Sequence, residues 1–115
     1  MIPNRTQRLG ALLKEEITLI ISRKVRDPRI GFVTINEVEV KPDFKTATIY
    51  YTVMGDEKQR EQTSIALNGM SNFIRRELKL SHLNIKTLPT LFFKYDTTLD
   101  YGEKIDAMIK MLRKS

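Results

Sequence analysis

The chain has 115 residues, 41% of them hydrophobic and 30% charged, with a net charge of +6 and no cysteine. That length bounds the protein to a single domain, 1–115, around one core, and the balance of apolar and charged residues excludes a disordered chain. The missing cysteine excludes disulfide frameworks, thiolate nucleophiles and Cys-type zinc sites, in agreement with a cytoplasmic address.

From about Asn4 to Lys24, Leu9, Leu12, Leu13, Ile17, Ile20 and Ile21 fall on one helical stripe, which predicts an amphipathic helix. Asn4 or Thr6 is placed to cap it, and Asp27-Pro28 ends it, because proline cannot continue the ladder and pushes the residue before it out of the α region. In FVTINEVEV, Val33 and Ile35 alternate, then Val38 and Val40 alternate in the opposite phase; that slip predicts a strand with a bulge near Asn36-Glu37. Lys41-Pro42-Asp43-Phe44 reads as a turn. A second strand follows with Ala47, Ile49, Tyr51 and Val53 on one face, giving an antiparallel hairpin.

A helical region is expected from about Glu57 to Leu80, but it contains a conflict. Leu67, Met70, Ile74 and Leu78 keep helical spacing through ALNGMSNFIRREL, while Asn68-Gly69 is a turn signal and Asn72 tolerates positive φ. Two helices meeting at a tight break are predicted, with a continuous, locally bent helix as the alternative. TLFFKYD supplies a third strand with Leu91, Phe93 and Tyr95 on one face and Phe92, like Tyr50, on the other. Ile105, Met108, Ile109 and Leu112 then mark a last helix from Tyr101 to about Lys114. The expected fold is α+β: a two-layer sandwich of a three-stranded sheet with helices on one face.

Catalytic chemistry finds few carriers. His82 is the only histidine, and the pairs Glu15-Glu16, Glu37/Glu39 and Asp56-Glu57 lack a ligand or acid–base partner at useful spacing. Phosphate-loop, nucleophile-elbow and zinc-protease patterns are absent. The expectation is a protein without enzymatic activity, cofactor or metal. No stretch approaches the ~20 apolar residues of a spanning helix, and MIPNRTQRLG is polar where a secretory signal carries an apolar block, so no membrane association is expected.

Positive charge gathers in two blocks. Arg5, Arg8, Lys14, Arg23, Lys24, Arg26 and Arg29 precede the first strand; Arg75, Arg76, Lys79, Lys86 and Lys94 follow the helical break, opposed by Glu77 alone. If the two blocks meet on one surface, they form a phosphate-binding groove with strong salt dependence; otherwise they are solvated faces. A break between helices also leaves the amides of the second helix unpaired at the positive end of its dipole, where a phosphate can sit. KH domains use a GxxG loop in this way; here the segment reads GMSN, with Asn72 at the second glycine's place.

Taken in order, RTQRLGALLKEEITLIISRKVRDPRIGFVTI, VEVKPDFKTATIYYTV, ALNGMSNFIRREL and LPTLFFKYDTTLDYGEKI resemble the ribosome-binding factor A family over nearly the whole chain. The resemblance implies a type II KH-like topology, αββ-αα-βα, with an Ala-x-Gly kink between the paired helices; the matching triplet here, Met70-Ser71-Asn72, departs at both ends. It further implies a monomeric assembly factor that binds the small ribosomal subunit and 16S rRNA and assists late maturation and 5′-end processing, notably in the cold. On that reading Arg23, Lys24, Arg26, Arg29, Arg75, Arg76, Lys79 and Lys86 are expected to meet RNA phosphates, with Ser71 and Asn72 shaping the kink and offering polar contacts. The competing readings are a general KH-like module for single-stranded nucleic acid, a protein-interaction domain using its open sheet face, and a hydrolase, which the inventory disfavours.

Overall fold

The computed structural model describes residues 4–81, 85 and 87–98; the expected last helix, His82 and Lys86 lie outside them. Helix α1 spans Arg5–Lys24 and opens on a capping box: the Asn4 side chain accepts from the Gln7 amide while the Gln7 side chain accepts from the Asn4 amide. Two of the orphan donors at the helix start are satisfied in this way. Strand β1 is Val33–Val40 and β2 is Thr46–Val53, followed by α2, Glu57–Gly69, α3, Ser71–Leu80, and β3, Thr90–Tyr95.

The sheet order is β1-β2-β3, with β1 antiparallel to β2 and β2 parallel to β3. A parallel pair needs a crossover connection, and α2 and α3 supply it. The phase slip in β1 is a bulge: Ile35 faces Tyr51 and Glu37 faces Tyr50, leaving Asn36 as the extra residue. Asn36 donates to Asp96 at 2.9 Å, tying the bulge to the end of β3 and, with the Thr98 amide, holding the Asp96 carboxyl below its ordinary range. In the hairpin turn the Phe44 amide bonds the Lys41 carbonyl at 2.9 Å and Phe44 takes φ 61°, an uncommon conformation for an aromatic residue.

One sheet face carries the core. Ile35, Val38, Val40, Ala47, Ile49, Tyr51, Val53, Leu91 and Phe93 are buried against Leu13, Ile17 and Ile20 of α1, Leu67 of α2, and Ile74 and Leu78 of α3. Burial pushes the Tyr51 phenol up. Residues pointing the other way, including Glu37, Glu39, Phe92 and Lys94, are exposed.

The α1 seam differs from the expected stripe at one place: Leu12 is 47% exposed, while Gly10 is buried. A Cβ at Gly10 would stand 2.4 Å from the Val38 carbonyl oxygen. The absent side chain therefore lets α1 lie against β1, and the buried line runs through Gly10, Leu13, Ile17 and Ile20 with Leu12 on its flank.

Candidate nucleic-acid interface

The helical region is two helices. The ladder is interrupted at Met70, whose φ of −99° and ψ of 6° make it the end of α2 and the start of α3 together. The break thus falls on the first residue of the triplet singled out in the sequence, by a different device from the one expected. Among the described residues only Phe44 and Gly55 have positive φ, so Gly69 and Asn72 do not supply a left-handed turn. The conformation of Met70 is open to any L-residue, and its side chain packs on the core.

The polar residues around the break serve another purpose. Strand β3 is an edge strand, whose outward backbone groups need partners. The Asn68 side chain provides two: its amide nitrogen donates to the Phe93 carbonyl at 3.0 Å and its oxygen accepts from the Phe93 amide at 2.9 Å. The Ser71 hydroxyl donates to the Leu91 carbonyl at 2.5 Å, and Arg75 Nη2 donates to the Leu88 carbonyl at 2.9 Å. Asn68, Ser71 and Arg75 therefore form a polar stripe that fastens α2 and α3 to β3 and its approach. Asn68 is a turn signal in the sequence, and its part in fastening the strand edge was signalled there only by its i, i+3, i+7 spacing with Ser71 and Arg75.

The other flank of α3 meets α1. Lys24 Nζ lies 2.5 Å from Glu77 Oε2, and this ion pair sets the last turn of α1 beside α3. Arg23 there, and Asn72, Arg76 and Lys79 on α3, are exposed; Arg23, Arg76 and Lys79 make no ion pair among the described residues. The two basic blocks are therefore joined where these helices pack. Glu77, 15% exposed at its side chain, is the carboxylate that holds the joint.

Arg26 and Arg29 stand on the α1–β1 connection. Arg26 Nη1 reaches back to the Ser22 and Val25 carbonyls at 3.4 Å each, contacts at the long limit of a hydrogen bond. Arg29 grips Asp27 through Nε and Nη2, the latter at 2.6 Å, and those bonds hold the Asp27 carboxyl below its ordinary range and raise Arg29. The Arg29 carbonyl accepts from Gln59 Nε2 and Thr63 Oγ1, which pins the connection to α2. Of the expected phosphate ligands, Arg23 and Lys24 stand at the α1–α3 joint, Arg76 and Lys79 are exposed on α3, Lys79 one turn beyond Arg75, Arg26 and Arg29 occupy the connection after α1, and Arg75 is turned to the sheet edge. Among the described residues there is no group of three or more His, Asp or Glu able to hold a metal, and no helix is long and apolar enough to cross a membrane.

The sequence profile of ribosome-binding factor A matches residues 5–109. The chain is similar to ribosome-binding factor A of Staphylococcus saprophyticus, 44% identical over 110 residues that cover 96% of each chain. Its fold is similar to the crystal structure of ribosome-binding factor A from Thermus thermophilus, with a TM-score of 0.70 and 23% identity over 78% of this chain and 93% of that one. Coordinates of the Thermus thermophilus factor fitted into a cryo-electron-microscopy map of a 30S complex match with a TM-score of 0.63 and 23% identity, covering 76% and 90% of the two chains. With a match over 96% of both chains at this identity and the same helix–sheet arrangement, this chain belongs to the ribosome-binding factor A family.

Proposed function

We propose that this protein is a cytoplasmic, monomeric assembly factor that binds the small ribosomal subunit through 16S rRNA and assists its late maturation and 5′-end processing, with no reaction of its own. The observation that supports the binding mode is the Lys24–Glu77 pair, which sets the cationic last turn of α1 beside α3. Its family and the 30S complex of the Thermus thermophilus relative support the choice of partner. Arg23, Lys24, Asn72, Arg76 and Lys79 meet the rRNA backbone in this reading, extended by Arg26, Arg29 and Lys86; Ser71 and Arg75 keep the interhelical break in shape from the β3 side.

Phosphate contacts of this kind give an affinity that falls linearly on a log–log salt plot, with about 0.7–0.9 of slope per neutralised phosphate. Replacing Arg23, Arg76 and Lys79 by Gln together is expected to weaken small-subunit binding and to make the slope shallower by about two. An unchanged slope overturns the assignment of this surface. For the role in maturation, cells lacking the protein are expected to accumulate small subunits with unprocessed 16S 5′ ends; normal ends throughout, in the cold included, would remove that part.

A second reading has one observation in its favour. Phe92 is 52% exposed on the sheet face that no helix among the described residues covers, the face that also carries the half-buried Tyr50, as a protein-docking surface requires. Subunit binding that ignores salt but is lost in Phe92→Ala would select it.

A further inference from the structure

The α1–β1 connection does more than carry Arg26 and Arg29. Between the end of α1 and the start of β1 the chain turns around an open cleft of about 420 Å³, walled by Ile21, Val25, Pro28, Ile30 and Gly31 together with the charged Arg26 and Asp27. That volume lies within the range of small-ligand sites, and its walls are largely apolar. Phe32, next to Gly31 on the wall, is 86% exposed, the largest exposure among the exposed large hydrophobic side chains of the described residues.

These features are held in place. The Asp27 carboxylate accepts from the Arg29 amide at 2.9 Å as well as from its guanidinium, and the Ile30 amide closes a turn on the Asp27 carbonyl at 3.0 Å. Gln59 and Thr63 clamp the Arg29 carbonyl from α2. An exposed aromatic ring that follows a fastened turn, next in sequence to Gly31 of the cleft wall, offers its face to a flat apolar partner. Its charge selects which one. Arg26 and Arg29 lie on the connection, Arg23 on the last turn of α1 before it, and the connection's one carboxylate, Asp27, is already taken by Arg29. Arg26 holds its place only by 3.4 Å contacts to carbonyls, which a phosphate oxygen replaces with a shorter, charge-assisted bond.

We propose that the α1–β1 connection is a nucleotide-binding site for an unpaired stretch of RNA: one base enters the cleft against Val25, Pro28 and Ile30, its phosphate meets Arg26, and the neighbouring base stacks on Phe32. The site rests on the reading of the protein as an rRNA binder and deepens it, since the α1–α3 surface supplies affinity to any phosphate backbone whereas a cleft and a stacking ring select flexible, single-stranded RNA.

The test uses the full chain and short unstructured RNA oligomers with 2-aminopurine at successive positions, alongside purified small subunits. Wild type is expected to quench the fluorophore on binding. Phe32→Ala, which removes only an exposed ring, is expected to abolish that quenching and weaken oligomer binding about tenfold with the salt slope unchanged, as loss of one stacked base does. Arg26→Gln should instead make the slope shallower by about 0.7. Quenching and affinity that survive Phe32→Ala overturn the site. So does wild type that binds subunits in a salt-dependent manner but no oligomer, an outcome that leaves the proposed function standing. Binding of neither overturns both. Loss of subunit binding in Phe32→Ala with oligomer quenching intact assigns the ring to a ribosomal protein and also overturns the site.

Discussion

Arg75 and Arg76 are adjacent in sequence and sit on different sides of α3. One is half-buried, its guanidinium bonded to the Leu88 carbonyl where the chain approaches β3; the other is exposed. The contrast extends along the helix pair. Asn68, Ser71 and Arg75 give their polar groups to the edge of the sheet, while Lys24 and Glu77 form the joint between α1 and α3 and Arg76 and Lys79 stay exposed on the outer side of α3. Charge alone therefore does not nominate a phosphate ligand; helical phase relative to Ile74 and Leu78 decides which cation is free to leave the fold.

The sharpest way to break this division is Asn68→Ala. It removes both partners of the Phe93 backbone on a partly buried strand edge, and each backbone group left unsatisfied costs about 1–3 kcal/mol. A stability loss of about 2–3 kcal/mol is expected in urea unfolding, without a change in the salt slope of RNA binding. A variant as stable as wild type would mean that water replaces the Asn68 side chain at no cost.

Next in size is the arginine pair itself. Arg75→Ala is expected to lower stability by about 1.5 kcal/mol, the low end for a hydrogen bond that involves a charged group, and to leave the salt slope as it was. Arg76→Ala should do the reverse, changing stability by less than about 0.5 kcal/mol, as exposed substitutions do, while flattening the slope by about 0.7–0.9. Equal behaviour of the two variants in both measurements would erase the distinction between the flanks.

Much of this architecture was legible in the sequence because it repeats at short range. The α1 stripe, the alternation in β2 and β3 and the slip that makes the β1 bulge are local patterns, and each predicted its element. The break between α2 and α3 was legible in place but not in mechanism. Asn68-Gly69 and Asn72 are residues of left-handed turns, so they pointed to positive φ; in the fold, Asn68 is explained by a strand 25 residues away, a distance that local reading does not span. Leu12 was misplaced for a similar reason, since only the contact of Gly10 with β1 shows where the seam of α1 runs. Among the site residues, the join between the two basic blocks depended on Glu77, which in the sequence is simply the one acid in a basic run.

Gly69 turns that lesson into a smaller prediction. As the last residue of α2 it has no positive φ, and a Cβ there would meet nothing within 4 Å. Gly69→Ala is therefore expected to raise stability by about 0.5–1 kcal/mol through helix propensity. Asn72→Gly, inside the first turn of α3, should lower it slightly by the same logic. A loss in the alanine variant would mean that the break needs glycine after all.

The smallest effect concerns the connection that carries Arg26 and Arg29. Asp27 is held below its ordinary value of 3.8, first by the Arg29 side chain and then by the Arg29 amide. A carboxyl whose folded-state value is depressed binds protons less readily when folded, so its contribution is complete above the unfolded value and drains away as pH falls through the folded one. Asp27→Asn removes that contribution. The melting temperatures of wild type and variant should differ at neutral pH and converge as the pH drops below about 4, where the unfolded chain takes up the proton. A gap that stays constant into acid would show that Asp27 acts through the turn geometry of its neutral form, and that the Arg29 ion pair adds nothing to the rigidity of the loop.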